Sequence, residues 1–159
     1  MALGGEGDVA TMRQLVSSGG PFEGRFGYSR AVRVGNHVAV AGTTAIKDGA
    51  PFAPGDAAAQ TRYILEVIEQ ALAEAGAAMG DVIRYRVFVT DIADYAVVGA
   101  ELGRVFGGIR PAGTLVGNST LVNPDLLVEI EVDAIAGSAS ALTTRLDGTE
   151  PVFLDQTSS

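Results

Sequence analysis

Apolar and polar residues alternate along Tyr28 to Val34 (YSRAVRV) and Val38 to Thr43 (VAVAGT), with Gly35-Asn36 between them. A period of two broken by a Gly-Asn turn predicts a β-hairpin. Lys47 to Gly55 is rich in Gly, Pro and Asp and reads as a loop. From Asp56 the period becomes helical: Ile64, Val67, Ile68, Ala71, Leu72 and Ala75 fall on one face, Asp56 caps the start and Gly76 stops the end. Arg62, Glu66, Glu69 and Glu74 lie away from that stripe, so the helix wants a sheet to cover. Asp81 to Val89 (DVIRYRVFV) predicts that sheet's next strand. A second helix, Tyr95 to Phe106, starts at a capping Asp94 and ends at Gly107-Gly108. Gly99 and Gly103 weaken it, and their spacing permits close backbone packing. Gly113 to Leu121 and Leu126 to Ala136 (LLVEIEVDAIA) predict two final strands.

The order β-β-α-β-α-β-β predicts an α/β (α+β) fold, a single-layer mixed sheet covered on one face by two helices. Val, Ile and Phe occur at both parities of Val82 to Val89, which predicts burial on both faces. The uncovered face is then apolar, and a bare apolar face implies self-association. Residues 1–22, rich in Gly and Ser, read as a flexible arm, 23–137 as one domain, and 138–159 as a tail. Within the tail, Pro151-Val152-Phe153-Leu154 offers an apolar segment that could dock on a neighbour.

Composition narrows the chemistry. The chain has 159 residues, 47% apolar and 19% charged, an ordinary globular mixture. No apolar run reaches the roughly 18 residues of a membrane span, and the N-terminus lacks a signal-peptide pattern, so no membrane and a cytoplasmic location are expected. A net charge of −8 with no basic stripe argues against a nucleic-acid partner. The absence of cysteine excludes thiolate catalysis, disulfides and Cys-based zinc sites. One histidine, His37, reads as an exposed turn residue and leaves little for a catalytic triad or a multi-His metal site. No metal and no cofactor are expected.

An ordered set of short motifs adds a resemblance. Gly27-Tyr28-Ser29-Arg30-Ala31, Ala41-Gly42-Thr43, Gly80-Asp81-Val82 with Val87-Phe88-Val89-Thr90-Asp91, Arg110-Pro111-Ala112 and Val128-Glu129-Ile130-Glu131 occur in that order between Gly27 and Ala136. Together they resemble the reactive-intermediate deaminase (Rid, YjgF-type) family. The resemblance implies a homotrimer like chorismate mutase in outline, with sheets facing inward and ligand clefts between subunits. It also implies cofactor-free hydrolysis of small-molecule enamines or imines derived from amino acids, giving a 2-oxo acid and ammonia. Members of the family grip the substrate carboxylate with an arginine directly after the Pro-Ala pair. Here that position is Gly113, and Gly99 stands where an asparagine is often found.

The candidate site residues follow from both lines of reasoning. Tyr28 matches a family tyrosine whose hydroxyl reaches a ligand, or is a packed aromatic at a sheet edge. Glu129 matches the family's acid and could exchange protons with water and a leaving amine. Equally, Glu129, Glu131 and Asp133 with Arg84 and Arg86 could form a cross-strand ion-pair ladder. Arg30 is the first substitute for the missing cation, or an interface salt bridge; Arg110 is the second, or a solvated loop residue. Thr43, Thr114 and Asn118 offer polar groups beside the presumed cleft. Gly113 and Gly117 leave space there, for a ligand or for a bulge. The expected function is a Rid-like small-molecule enzyme; the alternative is a non-catalytic trimer that binds a metabolite or partner, and ribonuclease ranks last.

Overall fold

The computed structural model describes residues 12–140. Along them run β1 (Arg13–Val16), α1 (Pro21–Phe26), β2 (Ala31–Val34), β3 (His37–Thr44), β4 (Ile46–Lys47), β5 (Ala50–Pro51), α2 (Ala57–Glu74), β6 (Val82–Val89), α3 (Tyr95–Phe106), β7 (Ala112–Val116) and β8 (Val128–Ile135). Six strands form one sheet in the order β1-β2-β3-β8-β6-β7, and β4 and β5 make a separate small hairpin. Only the β6–β7 pair is parallel, as its helical crossover through α3 requires. The expected fold class, a mixed sheet with two covering helices, is the one observed.

Alternation in β8 sets the layers. Val128, Ile130, Val132 and Ala134 are buried, and Glu129, Glu131 and Asp133 point the other way. The buried set meets Ile64, Ile68 and Leu72 of α2 and Val98, Leu102 and Phe106 of α3 in a single core. Helix α2 keeps its predicted ends: the Ala59 amide donates to Asp56 at 2.9 Å, and Gly76 takes φ +74°. Arg33 from β2 donates to the carbonyls of Ala75 (2.8 Å) and Gly76 (3.1 Å), placing a cation on the negative end of the helix.

Several expectations need correction. Part of the predicted arm is ordered: Arg13–Val16 pairs antiparallel with β2, and Pro21–Phe26 is a short helix. Glu23 holds this segment, accepting from the hydroxyls of Ser17 and Ser18 and from the Ser18 amide at 2.9 Å. Burial alone would raise its pKa, but the Ser17 and Ser18 hydrogen bonds outweigh that and hold the carboxyl below its usual range. Tyr28 and Arg30 consequently precede β2, which begins at Ala31. The last 3-10 turn, Ser138–Ser140, is pinned through the Ala139 amide to the buried Asp81 carboxylate at 2.8 Å. Residues 1–11 and 141–159, with the Pro151 to Leu154 segment, lie outside the described residues.

The two-sided apolar pattern of 82–89 has a different cause from the predicted one. The register with β8 slips between Val82 and Arg84, so Val82, Val87 and Val89 all face the helices despite their mixed parity. Ile83 is the extra residue of a β-bulge. The uncovered sheet face is therefore mixed rather than apolar: Arg86, Glu129, Glu131 and Asp133 run down its middle, and half-buried Val32 and Phe88 flank them. Exposed aromatics gather instead on α1, where Phe22 and Phe26 stack at 5.4 Å. Strand β7 ends at Val116, short of the predicted Leu121. No heavy atom outside α3's own backbone approaches Gly99 or Gly103, so their spacing serves no close packing. Asp94 stands at the N-cap of α3 without a side-chain hydrogen bond; Asp91 accepts from the Ala93 amide one turn earlier.

Gln60, fully buried, joins the loops at one end of the core. It donates to the Asp125 carbonyl (2.8 Å) and the Ala53 carbonyl (3.3 Å), and accepts from the Leu127 amide at 2.8 Å. Gln60→Leu keeps similar bulk but strands these groups without partners. Urea denaturation should show a loss of roughly 3 kcal/mol, far more than an exposed Gln70→Leu produces.

Candidate functional site

A break in β3 builds the site. Val40 pairs with Val132 and Thr43 with Ile130, so Ala41 and Gly42 bulge out of the ladder. The Glu129 carboxyl of the neighbouring strand lies directly over Gly42. A β-carbon there would sit 3.1 Å from the carboxyl carbon and overlap one oxygen, so only glycine fits. Arg30 closes the other side, donating to the Thr43 hydroxyl at 2.6 Å and to the Gly42 carbonyl at 3.2 Å. Its Nε is buried without a partner among the described residues. Thr43, itself buried, passes its own proton to the Ala41 carbonyl at 2.9 Å.

The charges around Glu129 are shared unequally. Arg86 pairs with Glu131 at 2.7 Å and with Asp133 at 3.6 Å, and His37 lies 3.5 Å from Asp133. The expected ladder thus exists for Arg86, Glu131 and Asp133. Arg84 and Glu129 form no ion pair among the described residues. Burial, and next the like charge of Glu131, push the Glu129 carboxyl above its usual range, while Arg30 draws it partly back. A half-buried, unpaired carboxyl with raised proton affinity is suited to giving and taking protons near neutral pH.

The structure brings Arg30, Thr43 and Glu129 together around Gly42, a residue whose part could be read beforehand only as one letter of a motif. It does not bring the other candidates to them. Gly113 and Thr114 lie on edge strand β7, with β6 between them and β8. Thr114 shares its register with Arg86, and Gly113 shares its register with Tyr85. Gly113 and Gly117 open no space: a β-carbon at Gly113 would overlap the Tyr85 ring, reaching 2.6 Å from Cε2, and one at Gly117 would meet Ile92 at 2.6 Å. Arg110 (φ +57°) and Asn118 (φ +58°) are exposed left-handed residues just outside the two ends of β7. Tyr28 is 41% exposed, and its amide donates to the Glu23 carbonyl at 3.1 Å.

On the opposite, helical side, a cleft of about 370 Å³ lies between α2 and α3. Its buried Glu101 is held by Arg62 at 2.6 Å and approached by Arg104 at 3.7 Å, so its charge is compensated internally. No group of three or more His, Asp or Glu gathers to hold a metal among the described residues, and no helix there is long and apolar enough to cross a membrane.

Glu129 binds its proton more tightly in the folded chain than in the unfolded one. Its contribution to stability is therefore full at low pH and is lost as pH rises through the folded value. Between about pH 4 and pH 8, Glu129→Gln should gain stability relative to the parent, followed by urea denaturation. Replacing Arg30 by Met should move the carboxyl's titration, read by carbon NMR, still higher. A difference that stays flat with pH would place Glu129 in an ordinary solvated setting.

Comparison with known proteins gives a consistent picture. The family model described as Endoribonuclease L-PSP matches residues 22–136. An uncharacterized protein of Streptomyces coelicolor is 36% identical over 126 residues, 79% of this chain and 94% of its own. A RutC family protein of Pyrococcus abyssi is 36% identical over 108 residues, 67% of this chain and 84% of its own. Among solved structures, a member of the YjgF/YER057c/UK114 family from Mycobacterium tuberculosis superposes with a TM-score of 0.72 at 50% identity, covering 79% of this chain and all of that one.

Proposed function

This chain belongs to the Endoribonuclease L-PSP family, of the YjgF/Rid type, and on that premise we propose that it hydrolyses or isomerises a small imine, enamine or related metabolite. The Glu129 carboxyl, unpaired and poised over Gly42, is the observation that carries the reading. Ionised, it takes a proton from water as the oxygen adds to the imine carbon. Protonated, it returns that proton to the nitrogen, the carbon–nitrogen bond breaks, and a carbonyl compound and an amine or ammonia leave. Arg30 is spent on Thr43 and Gly42, so in this scheme it fixes the floor under Glu129 and does not grip the substrate. Tyr28, exposed beside it, lends its hydroxyl to the ligand.

The proposal includes a cytoplasmic homotrimer formed by a Rid-like domain spanning 23–137. Within one chain Gly113, Thr114 and Asn118 stand across β6 from Glu129. They complete its site when the β7 edge of one copy meets the sheet of another, and Arg110 lies at the same edge. A second reading, a non-catalytic trimer binding a metabolite or partner, is favoured by the absence of a cation at Gly113. A ribonuclease has the least support, given the net charge of −8 and a lone His37 beside Asp133.

A panel of small imines and enamines tests the choice, half bearing a carboxylate and half an amide or ester in its place. At least one should release amine or ammonia faster than in buffer, and Glu129→Gln should slow that reaction about 100-fold or more. If no member is accelerated, the enzyme reading fails and the binding protein stands.

A further inference from the structure

Tyr85 does more than fill the core. It sits on β6 in register with Gly113, and its ring lies across the backbone of the edge strand where a side chain at 113 would begin. The ring is stacked on Phe106 of α3, with centroids 5.2 Å apart and planes 25° from parallel, so it cannot swing aside without opening the core. Tyr63 is the tyrosine whose hydroxyl is bonded among the described residues, to the Ile46 carbonyl at 3.1 Å. The Tyr85 hydroxyl, half-buried, is left with a hydrogen to donate.

We infer that Tyr85 and Gly113 together determine specificity at the β7 end of the site, selecting a ligand whose end there is an uncharged acceptor, an amide or ester carbonyl, over a carboxylate. This rests on the reading that the β7 edge borders the ligand. A carboxylate withdrawn from water needs a cation or several donors, whereas one phenol satisfies one neutral acceptor. Position 113 carries no cation, and the guanidinium nearest in register, Arg86, is bonded to Glu131 and Asp133. Arg110 is the remaining charge on this edge, exposed at the turn before Pro111.

Pyruvamide and pyruvate, titrated into the full-length protein and followed by amide NMR shifts, test the inference without requiring turnover. The parent should bind pyruvamide the more tightly. Tyr85→Phe, which keeps the stacking, should weaken pyruvamide about threefold to tenfold with little change in melting temperature. Gly113→Arg alone should melt early, and Tyr85→Ala with Gly113→Arg should recover stability and turn the preference toward pyruvate. Tighter binding of pyruvate by the parent, no change in Tyr85→Phe, or binding of neither probe overturns the inference. So does a pyruvate preference that Arg110→Gln abolishes, which would give the grip to Arg110. Any of these alongside Glu129-dependent imine turnover overturns the specificity alone, while loss of that turnover as well removes the reading beneath it.

Discussion

Strand β8 is hydrogen-bonded to β3 on one side and β6 on the other, and one of its faces is committed to the helices. A strand so held has no freedom of register, because a slip of one residue would put Glu129, Glu131 and Asp133 into the core. The hydrophobic demand of Val128, Ile130, Val132 and Ala134 thus fixes the direction of three carboxylates. Their mutual repulsion, on a face with few cations, is the constraint to which the neighbouring strands respond. Arg86 answers Glu131 and Asp133, and Glu129 is left to find a place by geometry rather than by charge.

That place is supplied by an irregularity. If β3 were regular, a side chain would stand where the Glu129 carboxyl lies. The bulge at Ala41-Gly42 removes the side chain and unpairs part of the backbone, and Arg30 and Thr43 take up groups that the ladder no longer satisfies. The cost of bending the strand is offset by those hydrogen bonds, and the result is an acid with raised proton affinity beside a fixed carbonyl and guanidinium. The edge strand shows the same principle with the opposite effect. At Gly113 and Gly117 the missing side chains admit Tyr85 and Ile92 of the chain itself, so glycine marks a close approach without marking a vacancy.

Signals confined to a short stretch were legible beforehand. The period of α2, its Asp56 cap and Gly76 stop, the Gly35-Asn36 hairpin and the alternation of β8 each depend on neighbours a few residues apart. Glu129 was singled out, as were Arg30 and Thr43, though nothing local revealed that the last two are bonded to each other. Tyr85 went unnoticed because an aromatic at an inward strand position reads as core. The Glu23 network went unnoticed because a short Ser, Gly and Pro-rich stretch carries no periodicity.

By itself, then, the sequence determined which segments are helix or strand and which face of each is apolar, since those follow from the dihedral period of the backbone. The order of motifs also carried the family. Tertiary structure alone decided where the periods break, at Ile83 and at Ala41-Gly42, because a bulge is settled by how two strands compete for register. It also decided which charges are free. An arginine or a carboxylate has the same chemistry wherever it is written in the chain, and its availability depends on partners brought to it by folding. That is why Arg30, a free cation by its sequence, proves to be bonded within the chain, and why Glu129 stands apart from a ladder in which it was equally expected.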